Sequence, residues 1–591
     1  MDRAQQDIDA RYEARNDVIK WPVMKRSMVI TFLLLALVGC AQGTAPANTT
    51  LLSAAVPRAQ VTVSSAALQD PAAPCTNVFA AHDLDHTTAT AGRVAHMFEG
   101  NGSGVAIGDL DDDGRLDVVL ANSAGPNTIL WNQGDLHFRT ERMPQGDARA
   151  VDMVDVDGDG RLDLVFTRRN AAPSYWRNTP SPPSPLSHQG RGVGGEGAYF
   201  VQELLSNVAL PAYAMAWGDL NGDGALDLVA GSYDAELLTD QGTGFLLGSG
   251  AGVYAYLSQG DRLAPRQLAH KSQALAIALF DVDGDTRPDI LVGNDFSVPD
   301  QAWVQQSGDW VVAQPFRATS YSTMGFDQGD IDNDGRLELF ATDMKPYDKS
   351  VATLATWQPM MSELYSPVPL GDPQIIENVL QVRGERGFRN QAYARGVDAT
   401  GWSWSGVFGD LDNDGWLDLY VVNGMIEADL FRYLPNGELV EQNQALRNDR
   451  SGNFMPMPQW GLGSTRSGRG MAMADLDGDG DLDIVVNNFG APAQLFENRL
   501  CRGSSLEVDL RWPKSRNTRA LGATLLLHTS AGDYTRTVRA DAGYLSSPPA
   551  RVHIGFPAGA ALERLEIRWP DGAVSAIDAP AAHSLLKVTR S

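Results

Sequence analysis

One nine-residue pattern, D-x-[DN]-x-D-[GT]-x-x-[DE], occurs seven times in the 591-residue chain. Its first, third, fifth and ninth positions are Asp109, Asp111, Asp113 and Asp117 in the first copy, and Asp155, Asp157, Asp159 and Asp163 in the second. The third holds Asp219, Asn221, Asp223 and Asp227, and the fourth Asp281, Asp283, Asp285 and Asp289. The fifth has Asp330, Asp332, Asp334 and Glu338; the sixth, Asp410, Asp412, Asp414 and Asp418; the seventh, Asp475, Asp477, Asp479 and Asp483. Carboxylates at positions one, three and five of a tight loop converge. With a backbone carbonyl near position seven and the acid at nine, they can supply the six to eight oxygens that Ca2+ takes at about 2.3–2.6 Å. Glycine at position six lets the chain turn where a Cβ would clash. Thr286 replaces it in the fourth copy, so that site is expected to be weaker. Of the 28 side-chain positions, 27 are acids. Such carboxylates repel one another without a cation, and the expectation is one Ca2+ per loop, up to seven. A lone copy would read equally well as an acidic turn, since Asp and Gly favour turns; seven copies at fixed ligand spacing do not. An EF-hand would need flanking helices and a Glu at position twelve, whereas the flanks here are strand-like.

The repeats account for an unusual charge. There are 73 Asp plus Glu against 47 Lys plus Arg, a net −26. A chain this acidic repels phosphate backbones, which excludes nucleic acid as an expected partner. Hydrophobic content of 43% and charged content of 20% are those of a folded protein.

Strands must position the loops. Apolar runs such as Val105-Ala106-Ile107 and Met471-Ala472-Met473 enter them, and Leu116 to Leu120 or Leu482 to Val486 leave. Two more short strands follow in most units, as in Ile129 to Asn132 and Leu136 to Arg139. Four strands per unit, seven units and no convincing helical periodicity predict an all-β, seven-bladed propeller over residues 75–501. The seventh unit lacks its fourth strand. Cys75-Thr76-Asn77-Val78-Phe79 is expected to supply it, with Phe79 matching Phe138 and Phe454. That would set Cys75 beside Cys501 and allow a disulfide; the alternative is two unpaired buried thiols.

The ends read differently. Lys25 and Arg26, the apolar run Met28 to Val38, and Gly39-Cys40 have the parts of a secretory signal. Leu37-Val38-Gly39-Cys40 is similar to the bacterial lipobox, which implies lipidation at Cys40; the alternative is a plain signal peptide. Met24 then reads as the start, and residues 1–40 as a mis-started terminus plus signal. The expected address is an exported protein, lipid-anchored at the bacterial envelope with no other membrane contact. Residues 41–74, rich in Ala, Thr, Ser and Pro, read as a flexible tether. Residues 502–591 read as a small β-sandwich of about seven strands, with Leu565, Ile567 and Trp569 alternating with charged residues.

The repeats resemble FG-GAP/VCBS repeats, the calcium-loop blades also found in integrin α-subunit propellers. The tail resembles the ASPIC/UnbV domain through Asn517 to Ala523, Gly543-Tyr544-Leu545-Ser546-Ser547 and Trp569-Pro570-Asp571-Gly572. Together they are similar to bacterial proteins of the cartilage acidic protein-like family. The resemblance implies a fold, calcium and an extracellular address.

A ligand site is less legible. Five residues beyond the ninth loop position stand Asn122, Arg168, Ser232, Asn294, Asp343, Asn423 and Asn488, all polar. With Trp402, Trp404, Arg466 and Arg469 they could ring one mouth of the propeller and take a glycan or protein ligand; the alternative is that Asn suits strand ends. A monomeric surface-binding or adhesion-type scaffold is the expected function. A carbohydrate-active lyase or hydrolase is the alternative, although no G-x-S-x-G, H-E-x-x-H or nucleotide-binding glycine loop occurs. His82 and His86 read as a solvated connection after the closing strand. Thr179 to Gly197 reads as a disordered insertion. Lys345 to Ile376 reads as a cap over one face or as local packing.

Overall fold

The computed structural model describes residues 57–180, 192–194, 199–241, 252–296, 298–365 and 370–591. The expected signal, Cys40, residues 41–56 of the expected tether and most of the insertion at 179–197 lie outside them.

Each of the seven motifs bridges the first two strands of its own antiparallel sheet. In all seven, the ninth-position acid is the first residue of the second strand, as in Asp117–Leu120, Asp163–Arg168 and Asp418–Asn423. The first sheet runs Val105–Gly108, Asp117–Leu120, Pro126–Asn132, Phe138–Gly146, each strand paired with the next, and the others repeat this order. First strands are buried along their whole length in nearly every sheet. They touch one another in cyclic sequence, from Val105–Gly108 through Ala148–Val154 and onward to Gly468–Ala474, which returns to Val105–Gly108. The ring is a β-propeller in class. Close packing explains the glycine just ahead of several motifs. A Cβ on Gly108 would lie 2.9 Å from Leu162, and one on Gly329 2.6 Å from Leu417. Both leucines stand at position eight of the next sheet's motif.

The N-terminal part of the chain closes the seventh sheet, one step later than expected. The strand is Ala80–Thr87, paired antiparallel with Pro492–Glu497, and not Cys75 to Phe79. Asn77 adopts a left-handed φ of 59° and breaks the extended run. Thr76 and Asn77 instead donate their N–H groups to Arg499 O. Cys75 and Cys501 form a disulfide with Cα atoms 5.7 Å apart. His82 and His86 therefore sit within the closing strand. His86 is buried against Thr128 Oγ1 at 2.7 Å and is no solvated link, whereas His82 meets Glu497 at 2.7 Å with its side chain still 42% exposed.

The C-terminal region forms two four-stranded sheets. One orders Gly532–Thr537, Thr524–Thr529, Leu562–Arg568, Val574–Asp578; the other orders Val61–Ala67, Ser584–Arg590, Ser504–Arg511, Val552–Phe556. Leu506, Val508, Leu525, Leu527, Leu565 and Ile567 share one apolar core. The strand Val61–Ala67 corrects the expected tether: it pairs along seven residues with Ser584–Arg590. Its side chains are mostly exposed, so an edge strand held by backbone bonds leaves no alternating pattern in the sequence.

Two helices were not expected. Val351–Leu364 buries Trp357 and Met360, with Trp357 6.1 Å from the Trp402 ring, so the insertion packs on the ring locally. Asp234–Gln241 carries Glu236 inward to Arg149. Among the described residues, no helix is long and apolar enough to cross a membrane.

Candidate metal loops and the filled channel

The motifs fold into closely similar hydrogen-bonded cradles. In six of the seven the first-position carboxylate accepts the N–H groups of residues five and six; in the fourth, Asp281 accepts from Gly284 and Thr286 instead. Asp109 takes Asp113 and Gly114 at 3.0 Å each; Asp410 takes Asp414 at 3.0 Å and Gly415 at 2.8 Å. The ninth-position carboxylate accepts the N–H of residue two, as Asp117 does from Leu110 at 3.1 Å and Asp418 from Leu411 at 3.1 Å. These bonds leave the remaining oxygens facing inward. Carboxylate oxygens of Asp109, Asp111 and Asp113, of Asp155, Asp157 and Asp163, and of Asp410, Asp412 and Asp418 each lie within 4.8 Å of one another. So do those of Asp281, Asp283 and Asp285, and of Asp330, Asp332 and Glu338.

The donor set fits a hard divalent cation on two further grounds. It is all oxygen, and third-position oxygens are left over: Asp111 Oδ1, Asp332 Oδ1 and Asp412 Oδ1 are buried without a hydrogen-bond partner. The Asp412 side chain is 1% exposed. An unpaired buried carboxylate oxygen costs several kcal/mol, roughly, unless a cation or donor meets it.

Burial drives the loop acids toward their protonated forms. It pushes Asp117, Glu338 and Asp410 up to about 8 and Asp227 to about 7. Asp155, Asp289 and Asp330 rise to about 6 for the same reason. Repulsion from neighbouring loop acids adds to burial in each case. Asp418 and Asp483 lie well above the carboxylate range.

Arginines neutralise part of this charge, which the sequence reading missed although the D-G-R-L-[DE] spelling carries the signal. Arg115 and Arg336, at position seven, pair with Asp113 and Asp334; Arg287 meets Asp285 at 2.5 Å. These pairs are largely exposed and contribute little. In the sixth loop, Arg447 reaches Asp412 and Asp414 at 2.7 Å each.

A second missed signal is an asparagine at the end of the third strand. Asn132 gives its N–H to Asp117 at 2.8 Å, and its side chain donates to Leu116 O of its own loop and to Leu476 O of the neighbouring one, at 3.0 and 2.7 Å. Asn178 reaches Leu110 O, Asn448 reaches Ile331 O and Asn498 reaches Leu411 O, at 2.8 to 2.9 Å. Each latch ties a loop to its neighbour around the ring. Asn132→Ala leaves two buried carbonyls short of a donor and is expected to cost about 1–3 kcal/mol, read as a fall in the urea midpoint. A midpoint unchanged within error would show that the latch bears no load.

The proposed ring of polar ligand groups is not there. Asn294, Asn423 and Asn488 end second strands and Asn122 and Asp343 follow them, but all are buried and engaged. Asn122 accepts from Gly125 N at 2.8 Å, and Asn294 from Gln273 N at 2.8 Å. Asp343 accepts from Tyr321 N at 2.9 Å. Asn423 donates to Thr400 O at 2.7 Å and Asn488 to Pro492 O at 2.9 Å. Strand ends turn here, and their buried backbone groups need partners. Trp402 packs between Trp357 and Phe431. Trp404 donates to Gly424 O, and the fully buried Arg469 lies 4.4 Å above its ring. Arg466 pairs with Asp83 at 2.6 Å.

The channel is filled by the chain itself. Residues 541–547 of the C-terminal domain contact all seven sheets at or beside their first strands. Ser547 N donates to Val105 O at 3.0 Å and Val151 N to Leu545 O at 3.3 Å; Tyr544 OH meets Tyr213 OH at 2.8 Å. The Leu279 backbone hydrogen-bonds Asp541, and Gly543 N donates to Phe326 O at 2.7 Å. Ser405 Oγ receives Tyr544 N at 3.0 Å, and Ser546 Oγ receives Met471 N at 3.2 Å. A segment touching every inner strand lies on the ring axis. The approach is close: a Cβ on Gly104 would sit 1.7 Å from Leu545 O. Beside the segment, Asp327 pairs with Arg539, and burial pushes Asp541 up to about 7.

Residues 109–166, 281–341 and 429–486 match the FG-GAP-like repeat, and residues 513–591 match the family described as ASPIC and UnbV. No curated protein matches the sequence. Among solved structures, the chain is similar to BBS1N in its complex with ARL6DN, at 9% identity over 69% of this chain and 94% of that one, TM-score 0.35. It is also similar to the Bacillus licheniformis rhamnogalacturonan lyase PL11, at 14% identity over 74% and 76%, TM-score 0.32. For the exotype rhamnogalacturonan lyase YesX the values are 12%, 74%, 76% and 0.30. Likeness at this level extends to neither activity nor ligand.

Proposed function

For this chain of FG-GAP-like repeats with a C-terminal ASPIC/UnbV domain, we propose an exported, calcium-loaded binding scaffold that displays a surface to a protein or glycan ligand. The carrying observation is the convergence of loop carboxylates around buried oxygens without partners, Asp412 Oδ1 foremost. Asp109, Asp111, Asp113 and Asp117, with their counterparts in the other loops, would hold Ca2+. The ion would supply the positive charge that these cradles need to stay folded at neutral pH. With Cys40 as a lipid anchor, the molecule would be a monomer tethered at the envelope.

The site for a ligand is a surface rather than the channel, because the chain's own residues 541–547 occupy the axis. Val351, 85% exposed, and Leu354, 46% exposed, stand on the helix Val351–Leu364 near Tyr433, whose hydroxyl donates to Thr356 O. Exposed apolar groups of this kind suit a binding surface. A carbohydrate-active enzyme would need paired carboxylates in an open cleft, whereas Asp327 is buried and Asp541 belongs to the buried channel segment itself.

Glycan and surface-protein arrays probed with calcium-loaded residues 41–591 test this reading. Saturable binding without product formation is expected. Glycan turnover that disappears on changing one surface carboxylate, with metal content unchanged, would overturn it in favour of the enzyme.

A further inference from the structure

The C-terminal domain reaches one repeated backbone atom in five of the metal loops, besides direct contacts such as Thr518 Oγ1 donating to Asp155 and Arg502 lying 3.6 Å from Asp412. In the first loop, Arg551 Nη2 donates to Gly114 O at 2.8 Å; in the second, Arg519 Nη2 donates to Gly160 O at 2.9 Å. Asn517 N donates to Gly224 O at 2.9 Å in the third. Arg536 Nη2 lies 3.5 Å from Gly415 O in the sixth, and His553 Nε2 meets Gly480 O at 3.0 Å in the seventh. Each acceptor is the carbonyl of the sixth motif position. Among the described residues, no hydrogen bond from this domain reaches Thr286 O or Gly335 O, the matching atoms of the fourth and fifth loops.

That carbonyl shares a peptide plane with the N–H of position seven, and the N–H points the other way, onto the fifth-position carboxylate. Arg115 N donates to Asp113 Oδ1, Arg161 N to Asp159 Oδ1 and Ala225 N to Asp223 Oδ1, each at 2.9 Å. Trp416 N donates to Asp414 at 3.1 Å and Asp481 N to Asp479 at 2.9 Å. One rigid amide thus has the docked domain on its oxygen and a candidate ligand carboxylate on its hydrogen. The residue ahead of the plane is a glycine at positive φ, +95° at Gly114 and +90° at Gly415. Glycine's freedom would let that plane rotate if nothing held it.

Resting on the calcium reading above, we propose that residues 502–591 act as positioning groups for five of the seven metal sites. The same bond stands at 2.9 Å in the unclamped fourth and fifth loops, so docking of the domain holds the amide against rotation rather than creating the bond. Metal loading of the first, second, third, sixth and seventh loops and docking of the domain, channel segment included, are therefore one coupled equilibrium. The fourth loop loads independently, whereas the fifth stays linked through the charge of Arg536, which favours ionised Asp330. Coupling of this kind is reciprocal: whatever docking adds to metal affinity, metal adds to docking.

A matched pair of variants tests it in the full chain. Asp113→Asn and Asp285→Asn change the fifth-position ligand of a clamped loop and an unclamped one, at carboxylates of similar exposure, 29% and 33%. Native mass spectrometry reads the bound calcium, and hydrogen exchange reads the amides of Gly543, Tyr544 and Ser547. Both variants are expected to weaken one calcium site. Only Asp113→Asn should speed exchange at the three channel amides, by about 5- to 150-fold if the coupling is of ordinary size. In a second arm, Arg551→Gln should weaken calcium at the first loop while leaving the fourth unchanged. Equal channel exchange in Asp113→Asn and Asp285→Asn, with calcium lost from both, would overturn the coupling and leave the calcium reading standing. A wild-type chain that binds no calcium would overturn both.

Discussion

Chelating calcium from the folded protein is expected to lower its thermal midpoint by about 10 °C or more. A ligand that binds only the folded state stabilises it by about 2.7 kcal/mol per site at a hundred times its dissociation constant. Several loops share that dependence; at about 2.1 cal/mol/K per residue a chain of this size moves its midpoint by about 1 °C per kcal/mol, so about four loops at that occupancy suffice. The contribution is direct here because the loops are anchored in the ring. Asp117 and Asp418 begin strands, and Asn132, Asn178, Asn448 and Asn498 tie together four of the seven neighbouring loop pairs. A loop that loses its cation therefore loads two sheets with repulsion rather than one surface turn. Scanning calorimetry in calcium and in excess chelator checks this; coincident melts would contradict it.

The second large effect is on pH. Burial raises the folded-state values of Asp117, Glu338 and Asp410 to about 8, Asp227 to about 7, and Asp155, Asp289 and Asp330 to about 6. Their ordinary values are 3.8 and 4.5, so the chelated folded chain holds protons that the unfolded chain has released. Stability linked to a raised group is fully present below its unfolded value and is lost as pH climbs through its folded one. The chelated protein should therefore weaken steadily from pH 5 to pH 8. The sum should reach several kcal/mol, because each tenfold change in proton affinity is worth about 1.4 kcal/mol. His86 and His553, held down to about 4 by burial, act in the opposite sense below pH 6.5 and set the acid limit. With calcium present the fall should disappear, since a cation takes the place of those protons. Melts at pH 5, 6, 7 and 8, with and without chelator, report it. A chelated protein that gains stability over that range would refute the assignment of these acids.

What the sequence made legible follows from how local each feature is. The motif is nine residues long and its side chains fold onto their own backbone, so spacing alone placed all seven cradles at the start of second strands. Closure of the ring was readable because the seventh unit visibly lacked a strand, though Asn77 shifted that strand past Phe79. The longer-range features left weaker marks. Val61–Ala67 is held through its backbone to residues more than 500 positions away and shows no apolar face. Gly543 to Ser547 stood out as a motif, but nothing in its spelling says that it lies on the ring axis. Asn122 and its counterparts looked available because polarity is visible in a sequence and engagement is not. Charge alone equally conceals the roles of Arg519, Arg551 and His553, whose partners are backbone carbonyls of loops far earlier in the chain.

The central claim is that divalent cations hold the acidic loops of this ring together. Native mass spectrometry of purified residues 41–591, exchanged into calcium and then into chelator, measures it most directly. Up to seven Ca2+ per chain, with one lost in Asp418→Ala, is the result expected. A chain of bare protein mass at saturating calcium, equally folded before and after chelation, would contradict it.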